Sequence, residues 1–82
     1  MDTQNQPRLY LVTGASGYVG GRLVRDLHGD GKRVRVLVRD AKKIQGQSWA
    51  HDVEIIEGNA SNSQDLDRAL AGVHTAYYLL HS

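Results

Sequence analysis

Three glycines spaced as G-x-x-G-x-x-G constrain the fold of this chain more than any other feature of its sequence. Gly14, Gly17 and Gly20 follow an evenly apolar run at residues 9–12, and an amphipathic pattern with helical spacing comes after them. This order predicts a strand, a tight turn and a helix. Glycine at the first position lets the chain turn sharply, and glycine at the third lets the helix lie close to the sheet. The sequence therefore predicts the opening unit of an α/β fold.

The middle glycine of this turn indicates a ligand. Gly17 has no Cβ, so a phosphate group can approach the backbone closely. A helix that begins here directs its free N–H groups and the positive end of its dipole at that group. A second predicted strand ends about 20 residues after the last glycine, as dinucleotide binding requires. Because 9 of the 82 residues are glycine, a purely structural turn is the alternative.

Composition narrows the class of protein and its partners. The chain is 40% hydrophobic and 23% charged, which fits one small domain over residues 1–82, and its net charge of +1 indicates no nucleic-acid partner. It has no cysteine, so it contains no disulfide, thiolate zinc site or cysteine nucleophile. Its four histidines lack metal-ligand spacing. No apolar run approaches the roughly 18 residues of a membrane span, so we expect a cytoplasmic protein with no membrane partner and no metal.

Strands and helices alternate in the pattern, which predicts a parallel sheet. The strands are expected at residues 8–13, 32–39, 53–57 and 74–80. Right-handed crossovers place them in the order 3-2-1-4, with a ligand crevice above the carboxyl ends of strands one and four. Residues 77–80 would then form an open edge. We therefore expect the first half of a larger, doubly wound Rossmann-type domain, or self-association that covers strand four.

Three helices are expected between the strands. The first follows the glycines, and a short second helix follows Asp40, which offers a cap. Ser61 and Gln64 match a capping box at the start of the third helix. Residues 45–52 are expected to be irregular, with Trp49 as their apolar anchor.

The residue at the end of the second strand determines which dinucleotide the site prefers. A carboxylate there accepts a hydrogen bond from the ribose 2′-OH of NAD, whereas a guanidinium can bind the 2′-phosphate of NADP. The predicted strand delivers Arg39 to this place, with Lys42 and Lys43 one turn further on, which favours NADP. NAD is the alternative, because a shift of one residue would give Asp40 the carboxylate role; otherwise Asp40 is a helix cap.

Three other polar residues are candidates for the crevice. Ser16 lies between the first two glycines, where its hydroxyl can donate to a phosphate oxygen, and a small turn residue is the alternative. Asn59 follows the third strand, where an amide can hydrogen-bond adenine, and an Asx turn is the alternative. His81 is the one histidine at a strand's carboxyl end, and a solvated strand end is the competing interpretation.

Segments at residues 12–21, 36–40, 57–60 and 76–82 together resemble the NmrA-like group of atypical, extended-type short-chain dehydrogenases/reductases. The resemblance covers nearly the whole chain after Arg8 and implies a Rossmann fold with an NAD(P) site. Members of the group usually carry an aspartate where Asn59 stands. With the patterns above, the resemblance predicts these cofactor-binding residues: Gly14, Ser16, Gly17, Tyr18, Val19, Gly20, Arg39, Asn59 and Ala60.

The resemblance supplies no catalytic residue. Many of these enzymes use a Tyr-x-x-x-Lys pair for proton transfer, and none of the four tyrosines here has a lysine four positions later. We therefore expect the cofactor-binding portion of an NADP-preferring oxidoreductase or epimerase-like enzyme, whose substrate pocket comes from other sequence. The alternatives are a non-catalytic NmrA-like dinucleotide sensor or regulatory module, and an inactive fragment.

Overall fold

Strands and helices alternate in the computed structural model, which describes residues 8–79. The strands are β1 (Leu9–Thr13), β2 (Arg33–Val38), β3 (Glu54–Glu57) and β4 (Thr75–Tyr78). The helices are α1 (Tyr18–Gly29), a 3-10 helix (Ala41–Ile44) and α2 (Ser63–Leu70). All four strands were predicted, and each begins one residue later than its pattern indicated.

The four strands form one parallel sheet in the order β3-β2-β1-β4, which confirms the predicted topology. Val12 of β1 lies opposite Val36 of β2 on one side and Tyr77 of β4 on the other. Four of the five β1 residues are buried, as expected for a central strand covered on both faces. The chain leaves β1 for β2 on one side and returns to β4 on the other, so the carboxyl ends of β1 and β4 mark a switch point.

Helices cover both faces of the sheet. Successive residues of a strand point to opposite faces, so Val36 and Leu37 of β2 belong to different apolar clusters. The larger cluster contains Val24 and Leu27 of α1 together with Trp49, which is only 2% exposed and is the predicted anchor of its irregular segment. The smaller cluster lies under α2. Its fully enclosed members are Leu11, Leu37 and Ala69.

The two helix caps predicted from sequence have different outcomes. Asp40 caps the 3-10 helix as predicted, since its Oδ1 accepts from the backbone N–H of Lys42 at 3.0 Å. The Ser61 capping box is wrong. The N-cap of α2 is Asn62, and the N–H of Ser61 donates instead to the side chain of Asn59. This Asx turn engages the backbone just before the helix, so α2 begins after Asn62.

β4 lies at one edge of the sheet. Thr75 and Tyr77 are partly buried, whereas Ala76 and Tyr78 are exposed. Within residues 8–79 no strand pairs with the outer side of β4, as the open-edge prediction requires.

Two further observations apply to the described part of the chain. None of the helices in residues 8–79 combines the length and apolar character needed to cross a membrane. In the same range, no group of three or more histidine, aspartate or glutamate side chains is arranged to hold a metal ion. Leu80 and His81, which the sequence placed at the end of the fourth strand, lie outside the described residues.

Candidate functional site

The glycine turn packs so closely that two of its positions require glycine. Gly14 has a φ of +78°, a region that side-chain-bearing residues rarely adopt, and a Cβ there would lie 2.8 Å from the carbonyl oxygen of Leu79. A Cβ on Gly20 would lie 2.2 Å from the carbonyl oxygen of Gly14. The first turn of α1 therefore rests on the backbone of the turn that precedes it, as the glycine spacing predicts.

The amino terminus of α1 has no side-chain cap among the described residues. Its N-cap is Gly17, in an extended conformation with φ −83° and ψ 167°, and the first turn contains no acidic residue. Tyr18 and Val19, which open the helix, are 78% and 66% exposed. The first N–H groups of α1 thus meet no carboxylate or hydroxyl acceptor from this part of the chain, and the helix dipole is not offset by an acidic side chain.

A cleft of about 460 Å³ opens above the carboxyl ends of the strands. It brings together five of the predicted cofactor-binding residues, which come from three separate loops: Gly14, Ser16, Arg39, Asn59 and Ala60. Gly17 and Tyr18 line a smaller cleft of about 250 Å³ that shares Ser16 with the first. Val19 and Gly20 line neither cleft, and Gly20 is buried in the first turn of α1, against Gly14.

Of the two residues that follow β2, Asp40 forms a side-chain hydrogen bond within residues 8–79 and Arg39 does not. Asp40 lines the larger cleft, but one of its carboxylate oxygens is engaged in capping the 3-10 helix. Arg39 lines the same cleft, is exposed, and has no hydrogen-bond or ion-pair partner within residues 8–79. Of the two lysines that follow, Lys43 lines the cleft and Lys42 does not. This wall of the cleft therefore presents two cationic side chains.

The turn after β3 forms the neighbouring part of the wall, since β3 pairs with β2. The side-chain oxygen of Asn59 accepts from the N–H of Ser61 at 2.9 Å, which is the Asx turn considered for this residue. Its backbone N–H donates to Oδ2 of Asp65 at 2.9 Å. The side-chain oxygen already accepts one hydrogen bond within the turn, whereas the amide NH₂ group has no partner within residues 8–79 and can donate to a ligand.

Sequence reasoning missed two residues that shape the cleft. The hydroxyl of Thr13, which is 3% exposed, accepts from the N–H of Leu79 at 3.1 Å and lies 3.4 Å from the carbonyl oxygen of Tyr77. It joins the carboxyl ends of β1 and β4 beside Gly14. The other is Asp65, which holds the turn after β3. A polar residue at the end of an apolar strand is the signal that could have indicated Thr13, whereas Asp65 reads as an ordinary surface residue of a helix.

The smaller cleft lies between α1 and residues 47–49. Arg22 and Arg25 line it, and the guanidinium of Arg22 lies 5.9 Å from the ring centroid of Tyr18. Trp49 forms part of its wall, and the indole Nε1 of this residue is buried without a hydrogen-bond partner in the described structure. Two arginines beside the start of α1 add to the positive potential at the glycine turn.

The sheet order, the glycine turn and the cleft at the switch point define the Rossmann-like fold of NAD(P)-binding reductases and epimerases in the short-chain dehydrogenase/reductase superfamily. The chain belongs to the NmrA-like family, whose family model matches residues 7–81.

Two similar solved structures show how far the fold is shared. A short-chain dehydrogenase/reductase superfamily protein from Agrobacterium tumefaciens, solved with bound NAD, is 28% identical with a TM-score of 0.74. The match covers 92% of this chain and 21% of that one. AtPrR2, solved with NADP+ and (+)-pinoresinol, is 26% identical with a TM-score of 0.76, over 95% of this chain and 27% of that one.

Among curated proteins, a ceramide reductase from Caulobacter vibrioides is 40% identical over 62 residues, which is 74% of this chain. The matched region is 19% of that protein, so the chain spans about a fifth of the length of its curated relative.

Proposed function

We propose that this chain is the cofactor-binding portion of an NADP-preferring oxidoreductase. The NADP preference rests on a difference between Arg39 and Asp40, the two residues that follow β2. Arg39 lines the cleft with its guanidinium uncommitted within residues 8–79, while Asp40 is engaged as a helix cap. A guanidinium matches the geometry of a phosphate and carries a permanent positive charge, so it favours the 2′-phosphate of NADP over the 2′-hydroxyl of NAD.

The pyrophosphate of the cofactor is proposed to lie at the start of α1. The N–H groups beyond Gly17 lack a side-chain acceptor, and a nearby anion is favoured by the helix dipole. Ser16 lines both clefts and is proposed to donate its hydroxyl proton to a phosphate oxygen. Arg22 and Arg25 support this placement, because they line the cleft beside the same turn.

Adenine is proposed to lie against the turn after β3. Asn59 and Ala60 line that wall of the cleft after β3, which β2 separates from β1 and the glycine turn. The amide NH₂ group of Asn59 is a donor, which suits the ring nitrogens N1, N3 and N7 of adenine, since these accept hydrogen bonds. An aspartate here would offer an acceptor to the exocyclic amine instead, so Asn59 changes which edge group of the base is recognised.

The bound nicotinamide would supply or accept the hydride, and the residues of this chain would bind and orient the cofactor. The description of the curated relative as a reductase supports an oxidoreductase rather than a non-catalytic sensor. Similarity to NAD-bound and NADP+-bound structures supports a nicotinamide dinucleotide as the ligand. An epimerase-like activity has weaker support, since the UDP-glucose 4-epimerase from Thermotoga maritima is 19% identical and shares only the fold.

We also propose that residues 1–82 belong to a larger doubly wound domain, which contributes the substrate pocket and covers β4. The exposed residues of β4 and the small share of each relative that the chain spans support this proposal. The cytoplasmic location, the absence of a nucleic-acid partner and the alternative of self-association stay predictions from the sequence.

Cofactor preference can be tested by titrating the protein with NADPH and NADH by calorimetry. We expect NADPH to bind more tightly, and Arg39→Ala to weaken NADPH binding by about tenfold or more, the value of one charge-assisted phosphate contact. NADH binding should change little. Arg33→Ala is the matched control, because Arg33 is an exposed arginine at the other end of the same strand. Tighter binding of NADH by the wild type would contradict the NADP assignment, and binding of neither would contradict the function.

A further inference from the structure

We propose that Asp65 is a positioning residue for the adenine end of the dinucleotide site, a role that rests on the function proposed above. Asp65 lies in the first turn of α2 and lines neither cleft. Its carboxylate nevertheless accepts the backbone N–H of Asn59 at 2.9 Å, and Asn59 lines the larger cleft. The influence of Asp65 on a ligand would therefore pass through the turn after β3.

Both the carboxylate and the backbone of Asp65 are held by other residues of α2 and its cap. Oδ1 accepts from Nη2 of Arg68 at 3.0 Å, one helical turn further along α2. The backbone N–H of Asp65 donates to the side chain of Asn62, the cap of the same helix. The same Nη2 of Arg68 lies 3.4 Å from the carbonyl oxygen of Glu57, the last residue of β3. The carboxylate thus has a fixed place between α2 and the end of β3.

The turn fits this carboxylate closely. A Cβ added to Gly58 would lie 2.9 to 3.0 Å from three atoms of the Asp65 side chain, so the absence of a side chain at Gly58 lets the two pack together. Gly58 also donates its backbone N–H to the carbonyl oxygen of Val38 at 2.8 Å, which ties the turn to the end of β2. The turn is therefore fixed at its start by β2 and one residue later by Asp65.

This arrangement determines what the cleft offers to a base. The N–H of Asn59 is engaged by Asp65 and its side-chain oxygen accepts from Ser61, so the amide NH₂ is the donor that Asn59 keeps for a ligand. Ala60, the next residue, lines the same wall. Loss of the Asp65 carboxylate would release the N–H of Asn59 and leave the turn with more than one conformation. A ligand would then have to select the binding conformation, which weakens its apparent affinity.

The experiment compares Asp65→Ala, Asp65→Asn and the control Asp67→Asn. Asp67 is an exposed acidic residue of the same helix, two positions away. The probes are NADPH and 2′,5′-ADP, which contains only the adenosine end of the cofactor. We expect Asp65→Ala to weaken both by the same factor, about three- to tenfold, because the effect lies entirely at the adenine end. Asp65→Asn keeps an acceptor oxygen and should recover part of the loss, while Asp67→Asn should match the wild type.

A double-mutant cycle with Asn59→Ala separates positioning from a general structural role. If Asp65 acts through Asn59, the combined variant loses less affinity than the sum of the two single losses. Additive losses, or wild-type affinity for 2′,5′-ADP in Asp65→Ala, would overturn the proposal. A lower melting temperature with unchanged affinity would also overturn it. If the wild-type protein bound neither probe, the proposed function would fail first; if it bound both and Asp65→Ala changed neither, only the role of Asp65 would fail.

Discussion

The amino termini of α1 and α2 are alike in position and opposite in chemistry. Each helix begins just past the carboxyl end of a strand, and the two cover opposite faces of the sheet. α2 is capped by Asn62 and carries Asp65 in its first turn, so the protein itself supplies a side-chain acceptor and a negative charge at that helix terminus. α1 begins at Gly17 with neither a side-chain cap nor an acidic residue. The difference supports our proposal that the terminus of α1 binds a phosphate of the cofactor, while that of α2 supports the fold.

Arg35 of β2 and Arg39, which follows β2, show the same contrast. Arg35 forms an ion pair with Glu54 and donates to the carbonyl oxygens of Ala69 and Ala71, each at 2.7 Å. It therefore fastens the end of α2 to the sheet, near the negative end of the helix dipole. Arg39, four residues later, has no such partner within residues 8–79. Identical side chains thus serve the fold in one place and remain available for a ligand in the other.

The largest expected effect concerns the close contact that places α1. Gly20→Ala would put a Cβ 2.2 Å from a backbone oxygen that cannot move without displacing the glycine turn. We expect a loss of about 2–4 kcal/mol in the free energy of unfolding, measured by urea denaturation. Gly29→Ala is the control, because a Cβ there meets nothing within 4 Å. It should be neutral or slightly stabilising, and equal losses in the two variants would contradict the close packing of α1 on the turn.

Substitution of Gly17 by a capping residue would make the start of α1 resemble that of α2. The extended backbone of Gly17 suits a capping residue, so Gly17→Asp should stabilise the helix by about 0.5–2 kcal/mol while its carboxylate occupies the proposed phosphate site. NADPH affinity should fall by more than about tenfold through loss of the anion site. Gly17→Asn, which caps without charge, should lose less, and Gly17→Ala reports the effect of the Cβ alone. Unchanged NADPH affinity in Gly17→Asp would break the comparison.

The reverse change makes the start of α2 resemble that of α1. Asn62→Ala removes the side chain that accepts the N–H of Asp65, and we expect a loss of about 1 kcal/mol in the free energy of unfolding. Ser63→Ala is the control, since Ser63 is exposed at the first position of the same helix. A denaturation midpoint equal to that of the wild type would show that α2 does not depend on its cap.

The smallest expected effect is the pH dependence of stability that Asp65 contributes. The N–H of Asn59, followed by the guanidinium of Arg68, holds the pKa of Asp65 below its ordinary value of 3.8. A carboxyl group whose pKa is lower in the folded state stabilises the fold above the unfolded value and loses this contribution as the pH falls through the folded value. The difference in melting temperature between the wild type and Asp65→Asn should therefore be full at neutral pH and shrink below about pH 4. A difference independent of pH would exclude the charge as its cause.

The features of this fold that depend on neighbouring residues could be predicted from the sequence. The glycine turn, the alternation of strands and helices and the Asp40 cap each depend on a few neighbouring residues, and the sheet order follows from the handedness of crossovers. The predicted cap of α2 is wrong because Ser61 and Asn62 are both residue types that cap helices. The choice between them depends on the Asx turn that Asn59 forms with the N–H of Ser61.

The residues that line the predicted site could be predicted in part, whereas the contacts that support it could not. The structure brings Gly14, Ser16, Arg39 and Asn59 to one cleft because each follows a strand of a parallel sheet, a rule that the sequence makes available. The position of Thr13 at the end of an apolar strand is a signal in the sequence, but the hydrogen bonds by which Thr13 and Asp65 support the cleft could not be predicted. Their hydrogen bonds join atoms of separate elements within about 3 Å. Such distances depend on the final packing of the backbone rather than on a residue pattern.

The contrast between the two helix termini can be tested most directly by an NMR titration of backbone amides with NADP+. The account predicts the largest amide shifts at residues 16–19, where α1 begins, and clearly smaller shifts at residues 63–65, where the Asn62 side chain already accepts the N–H of Asp65. Shifts concentrated at the start of α2, or no shifts at residues 16–19 under saturating NADP+, would contradict the account.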